Sequence, residues 1–407
     1  MVACFAGQQK AAFDVESSWA ENVTTFTYGM PLAAPVEISG ISQDMLDPSR
    51  VTANRLAYSK GVLGPWNINY TTTHNLTGHG STCAGAVSAT ALARLIGHVW
   101  GGRDTTLAAG TTLTGGTATV PTITTASGYA AGGMLRLGAL GDGDGDGQFY
   151  MYSTHAASAL NLLFAMNGAP VNGAVVYSPE LVYPADSGCS MTGMRHRFLT
   201  GDLQFAVHGV FPTTFGFTGL EPGGHPQISI GWRGSWAQPL SASPTATPDA
   251  DEYNWQPPSA GGSFFLQDYG TTTRATYGVR NFSLSYSLGM SAVMGGMGVN
   301  QYQTITGATR TKDTCTLSVV LDGQGVDTTP QWWDSWLANT DQQGCYSLHS
   351  ADGTAVGFGF RRLHWMGPRP SQTSTSDRNT IPLNFQCEIG ATTTTDLTLS
   401  PVLLALA

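Results

Sequence analysis

The chain has 407 residues, of which only 11% are charged, against about 25% in an ordinary soluble domain. Its 18 basic and 27 acidic side chains leave a net charge of −9 with no run of Lys or Arg, which excludes a protein that holds nucleic acid by its phosphates. No stretch approaches the roughly 18 consecutive apolar residues of a membrane-spanning helix. A monomer with so few charges is poorly protected from self-association, so much of the surface is expected to lie against copies of the same chain. Secreted β-rich enzymes are the competing class, being also weakly charged and rich in Gly, Ser and Thr. The opening Met1-Val-Ala-Cys-Phe-Ala-Gly7 lacks the charged and apolar regions of a secretory signal.

In chain order, residues 1–50 read as an extended N-terminal arm with the first strands, because Pro31, Pro35 and Pro48 argue against a long helix. Residues 51–240 form a first domain. Within it Trp66-Asn-Ile-Asn-Tyr70 alternates as a strand, and Gly85 to Trp100 is predicted helical, with Val87, Ala91, Leu92, Leu95, Ile96 and Val99 on one face. Ser81 or Thr82 is the expected cap, and Gly101-Gly102 the stop. The Thr- and Gly-rich stretch 101–150 is far longer than a median loop of about 4–6 residues, and is expected to hold a hairpin and a projecting loop. Strands return at Leu203 to His208 and at Pro226 to Trp232. Residues 241–262, with Pro244, Pro248, Pro257 and Pro258, read as a linker.

The block then repeats over 263–395. Phe282 to Leu288 alternates, and Gly289 to Asn300 is a Gly/Met-rich insertion. Pro330 to Asn339 is helical, with Trp332, Trp333, Trp336 and Leu337 as a bulky stripe, and strands return at Thr354 to Arg361 and Pro382 to Glu388. The Trp stripe is expected to pack on a sheet, with sugar binding as the other reading. Residues 396–407 are an apolar tail expected to pack as a terminal strand. The predicted fold class is mainly β, with two tandem β-sandwich or barrel domains, each flanked by a short helix.

Little in the sequence reads as chemistry. Cys4, Cys83, Cys189, Cys315, Cys345 and Cys387 are scattered without a CxxC pair, which argues for buried free thiols over a zinc site or a disulfide scaffold. Asp142, Asp144 and Asp146 in Gly141 to Gly147 resemble the start of a Ca²⁺ loop, but Ser153 stands where the closing Glu belongs, so a solvated acidic turn is expected. Gly-x-Ser-x-Gly, His-Glu-x-x-His and Walker A patterns are absent. His155, His196, His208, His225, His349 and His364 are dispersed, and the glutamates form no evident glycosidase pair. No catalytic, cofactor-binding or metal-binding residue is assigned, and the chain is not expected to be an enzyme.

The opening Phe13-Asp-Val-Glu-Ser-Ser-Trp19, with Pro31 to Arg50, the Trp66 to Tyr70 strand and the apolar helix, resembles the start of tail tube (major tail) proteins of long-tailed bacteriophages. Asp202 to Pro212, Phe215 to Leu220 and Pro226 to Gly234 are similar to that family's closing hairpin, and the layout recurs in Thr354 to Trp365 and Thr380 to Gly390. The resemblance implies a virion structural protein, made in the host bacterial cytoplasm, that self-assembles into stacked rings. Those rings form a channel for DNA ejection. A tandem-domain chain would form homotrimeric rings with pseudo-sixfold symmetry, and its partners would be itself and other phage tail proteins. The genome would pass without specific binding through a lumen whose sign repels phosphate, and no membrane or cofactor is implied. A distal tail or tail-tip protein of the same fold is the runner-up, and a secreted β-rich carbohydrate-active or carbohydrate-binding protein the alternative from another class.

Overall fold

A computed structural model describes residues 9–36, 42–46, 62–78, 90–104, 111–124, 131–137, 148–156, 158–166, 168–177, 179–185, 193–200, 203–240, 260–272, 275–294, 305–322, 331–349, 355–367, 373–375, 378–389 and 399–407. The chain is mainly β, with two helices among these residues. Of the predicted linker 241–262, residues 241–259 lie outside the described residues and 260–262 belong to the strand Ala260–Asp268, because they pair in the sheet; the Asp-rich Gly141 to Gly147 loop also lies outside the described residues.

The second half closes on itself. Strand Ala275–Ser287 pairs with Thr314–Asp322, which pairs with Arg378–Glu388. That strand continues to Ala355–Trp365, then Gln342–His349, then Ala260–Asp268, which returns to Ala275–Ser287. Six antiparallel strands therefore form a barrel in which each has two neighbours, so these six have no open long edge. Alternation fills the interior with Phe264, Phe282, Leu317, Tyr346, Phe358 and Phe385. Phe282 and Tyr346 stack there with centroids 4.0 Å apart.

The first half repeats that circuit. Val62–Asn75 pairs with Gln227–Gly234, that strand with Leu203–Thr218, that with Met194–Thr200, and that with Gln9–Val15. Tyr28–Gly29 pairs with Gln9–Val15, and the chain then crosses to Val62–Asn75, where the Ala33 amide donates to the Thr73 carbonyl at 2.7 Å. The N-terminal strand Gln9–Val15 is thus a wall of the first barrel, with Phe13 in its core.

Register shows how closely the halves correspond. The series Tyr70, Trp232, Pro212 across three strands of the first matches Leu317, Phe385, Trp365 in the second. A register shift between Met194 and His196 recurs between Gln342 and Gly344. The closing strands also take the same partner, since Trp236–Pro239 pairs with 205–208 and Leu403–Leu406 pairs with 356–359, two residues further toward the N-terminus of the equivalent strand. The apolar tail is therefore the last strand of its repeat. One equivalence differs from the sequence reading, because the counterpart of Trp66 to Tyr70 is Thr314–Asp322, not Phe282 to Leu288. Alternation cannot tell two neighbouring strands of one barrel apart. The prolines mislead as well: Pro382 stands opposite Val320, the place that Ser229 takes opposite Thr73.

The first helix spans Ala91–Trp100 and ends at Gly101, whose φ of 90° is the left-handed conformation that glycine favours. Its cap is Thr90, whose hydroxyl accepts from the Ala93 amide at 3.0 Å; the expected caps Ser81 and Thr82 and the predicted start from Gly85 lie outside the described residues. The second spans Gln331–Leu337, with Trp336 packed on the core and Leu337 exposed, while the Trp332 and Trp333 side chains of the expected stripe lie outside the described residues.

The stretch from Gly101 to Tyr150 holds the expected hairpin pairing, Leu113–Gly116 with Pro121–Ile123, and its segments 105–110, 125–130 and 138–147 lie outside the described residues. It supplies much of a six-stranded sheet between Leu113 and Tyr177. That sheet packs its own apolar face, with Met134, Phe149 and Met151, against the outside of the second barrel, where they meet Gly357 and Gly359 within a cluster that includes Phe265, Cys345 and Ala405. Composition hid this, because Thr and Gly occupy the solvent face and the turns.

Candidate functional surface

The two barrels meet along strand edges. Phe215 and Gly216 of Leu203–Thr218 pair with Tyr286 and Ser285 of Ala275–Ser287. This links the two walls into one sheet in which Val62–Asn75, Gln227–Gly234, Leu203–Thr218, Ala275–Ser287, Thr314–Asp322 and Arg378–Glu388 lie side by side.

Behind the sheet, the helix Ala91–Trp100 is wedged between the halves. The Trp100 ring lies 5.0 Å from Phe215 and 5.3 Å from Tyr286, and Phe217 meets Phe358 edge-on at 5.3 Å. A polar network locks the seam. Arg310 Nη1 donates to the Trp100 carbonyl at 2.7 Å and pairs with Asp313, which also accepts from Tyr286 Oη at 2.6 Å. Burial opposes the Arg310 charge, but Asp313 outweighs it and the Arg310 pKa is raised. Burial, with Asp313 beside it, also raises Tyr286, which stays a neutral donor.

In front, the sheet presents a continuous polar face. Following the pairings across six strands gives the rung Thr73, Ser229, Gly216, Ser285, Thr316 and Gln386. Asn69, Thr71, Thr214, Ser283 and Asn384 are exposed on the same side. Among the described side chains, Arg233, Arg280, Asp322 and Glu388 are the charges at outward positions of these strands, and Arg280 lies 3.7 Å from Asp322. The described side chains of this face are mostly hydroxyls and amides, with two basic and two acidic groups among them.

Three of the dispersed histidines have structural surroundings, whereas His225 is exposed and the His155 side chain lies outside the described residues. His196 is buried with its Nδ1 2.8 Å from Tyr70 Oη and its ring 4.6 Å from Trp232, and burial lowers its pKa. His208 stacks on Trp236 at 4.2 Å. His364 Nδ1 is 2.8 Å from Asp341, which Arg362 also contacts. Burial would raise the Asp341 carboxyl, but these two partners hold it below its ordinary value. Cys315, Cys345 and Cys387 are buried free thiols. Among the described residues no group of three or more His, Cys, Asp or Glu is placed to hold a metal ion, and no helix is long and apolar enough to cross a membrane.

No protein-family model and no curated protein matches this chain. The surface missed by sequence reading was the seam itself. Its residues look like ordinary strand residues until the two halves are placed edge to edge.

Proposed function

We propose that this protein is a structural subunit of a bacteriophage tail, assembling with copies of itself into stacked rings that form the tail tube. The observation that carries this reading is the repeat joined to itself: two barrels of one topology, already paired edge to edge. One chain then supplies two consecutive positions of a ring, and three chains supply six. The joined sheet, with its neutral rungs of Ser, Thr and Gln, suits a channel wall. Such a wall stays hydrated and offers no basic stripe to hold phosphate. No residue is catalytic on this reading. The protein would be made in the host bacterial cytoplasm and reside in the virion, contacting other tail proteins at the ends of the tube.

Negative-stain electron microscopy with sedimentation tests it. Hollow rings that stack into tubes are the expected result, and threefold order would match the tandem repeat. Single rings that never stack would favour a distal tail component of the same fold. A uniform monomer at every concentration would overturn the assembly reading.

A further inference from the structure

The seam inside the chain has two sides, and each has a counterpart left over. In the first half, Phe211 is 1% exposed, covered by Ile305 and Ala308 of the hairpin Met290–Met294/Ile305–Arg310 that reaches across from the second. Trp19 Nε1 donates to the Ile305 carbonyl at 3.0 Å in the same contact. Register matches Phe211, opposite Arg233, with His364, opposite Gln386. Yet the His364 side chain is 37% exposed, and its neighbour Met366 is 40% exposed. The reaching hairpin also has a counterpart. Ser42 stands opposite Asn67 as Ser287 stands opposite Thr314, and Met45 opposite Leu63 as Met290 opposite Arg310. The pairing described for Ser42–Leu46 is with Val62–Asn75. One half thus retains an acceptor edge and the other a donor hairpin, of the kinds that engage each other within the chain.

We propose that the Trp365–Gly367 edge of one copy takes up the Ser42–Leu46 strand of a second copy, in the register of the internal seam. The interface is head-to-tail, since different surfaces meet, and repetition of one such contact gives a ring when the rotation closes. It rests on the reading of the chain as a ring-forming subunit and names the contact that such a ring uses. Extending the internal register by one pair from Phe215 and Tyr286 sets Thr214 opposite Ser287, both exposed. The Met366 amide donates to the Asn384 carbonyl, and Asn384 matches Gly231, the partner of Thr214. Met366 of one copy therefore faces Ser42 of the next.

Cysteines placed at these two positions read the contact directly, because paired Cα atoms of antiparallel strands lie about 4.5–5.5 Å apart, within disulfide reach. Full-length Met366→Cys and Ser42→Cys proteins, and the double variant, are oxidised and run on non-reducing gels beside electron microscopy of the same samples. The double variant is expected to shift from monomer into a ladder that ends at the ring, while mixing the single variants gives one covalent dimer that cannot propagate. Either single variant alone stays at the wild-type level of crosslinking. Rings without the link overturn this contact and leave the tube reading standing. Neither rings nor link overturns both, and a link without tubes supports the contact alone.

Discussion

Phe215 and Tyr286 stand opposite each other across the seam, one from each repeat, with their rings 5.9 Å apart and both closed off by Trp100. Because this pair belongs to a core shared by both barrels, the halves are not expected to unfold separately. Phe215→Ala removes a buried aromatic from that core and should cost about 3–5 kcal/mol. A denaturant titration followed by both tryptophan fluorescence and circular dichroism should show one transition at a lower midpoint. Two separated transitions would mean that the barrels are energetically independent.

Arg310 is the latch behind that pair. Arg310→Ala leaves the half-buried Asp313 carboxylate with Tyr286 and the Gly289 amide alone, and losing a charged hydrogen-bond partner costs about 1.5–3 kcal/mol. Adding Asp313→Asn should recover part of that loss, as a double-mutant cycle in urea would measure. Additive effects would show that the two charges do not act on each other.

Packing of the inserted sheet depends on the absence of a side chain at Gly357, where an added Cβ would lie 2.6 Å from the Phe149 ring. Gly357→Ala is expected to cost about 1–3 kcal/mol through overpacking. It should also loosen the sheet from the barrel, so that limited proteolysis cuts between Leu113 and Tyr177 sooner than in the parent protein. Unchanged cleavage there would mean that the neighbouring side chains absorb the methyl group.

Glu16 is buried beside His208, 3.9 Å away, and accepts from the Ala20 and Gly209 amides. Burial raises its pKa from 4.5 to about 7, and lowers His208 from 6.5 to about 4. The folded chain therefore holds a proton on Glu16 that the unfolded chain releases above 4.5. Stability from this group is complete below 4.5 and is lost as pH rises through about 7. His208 acts with the opposite sign, as does His74, also lowered to about 4: their contribution grows as pH rises from about 4 to 6.5. Glu16→Gln removes the opposing slope. Its stability relative to wild type should improve between pH 5 and pH 8 by on the order of 3 kcal/mol, measured by urea unfolding at both pH values. Parallel stability curves would show that Glu16 is ionised in the fold.

Composition and pattern alone determined that the chain is β-rich, that a block recurs, that an apolar helix ends at Gly101, and that the C-terminal run is a strand. Each follows from local physics: alternation buries one face of a strand, a repeat of apolar residues at helical spacing buries one side of a helix, and glycine takes the left-handed turn. Tertiary structure alone decided which strands correspond, since Trp66 to Tyr70 and Phe282 to Leu288 carry the same alternation but occupy different places in their barrels. It also decided that the Thr- and Gly-rich insertion is a packed sheet, because Met134, Phe149 and Met151 become a core only against the second barrel. The seam belongs to the same class. Backbone hydrogen bonds between Phe215–Gly216 and Ser285–Tyr286 join residues far apart in the chain, and edge pairing is a property of backbone geometry that no side-chain pattern spells out.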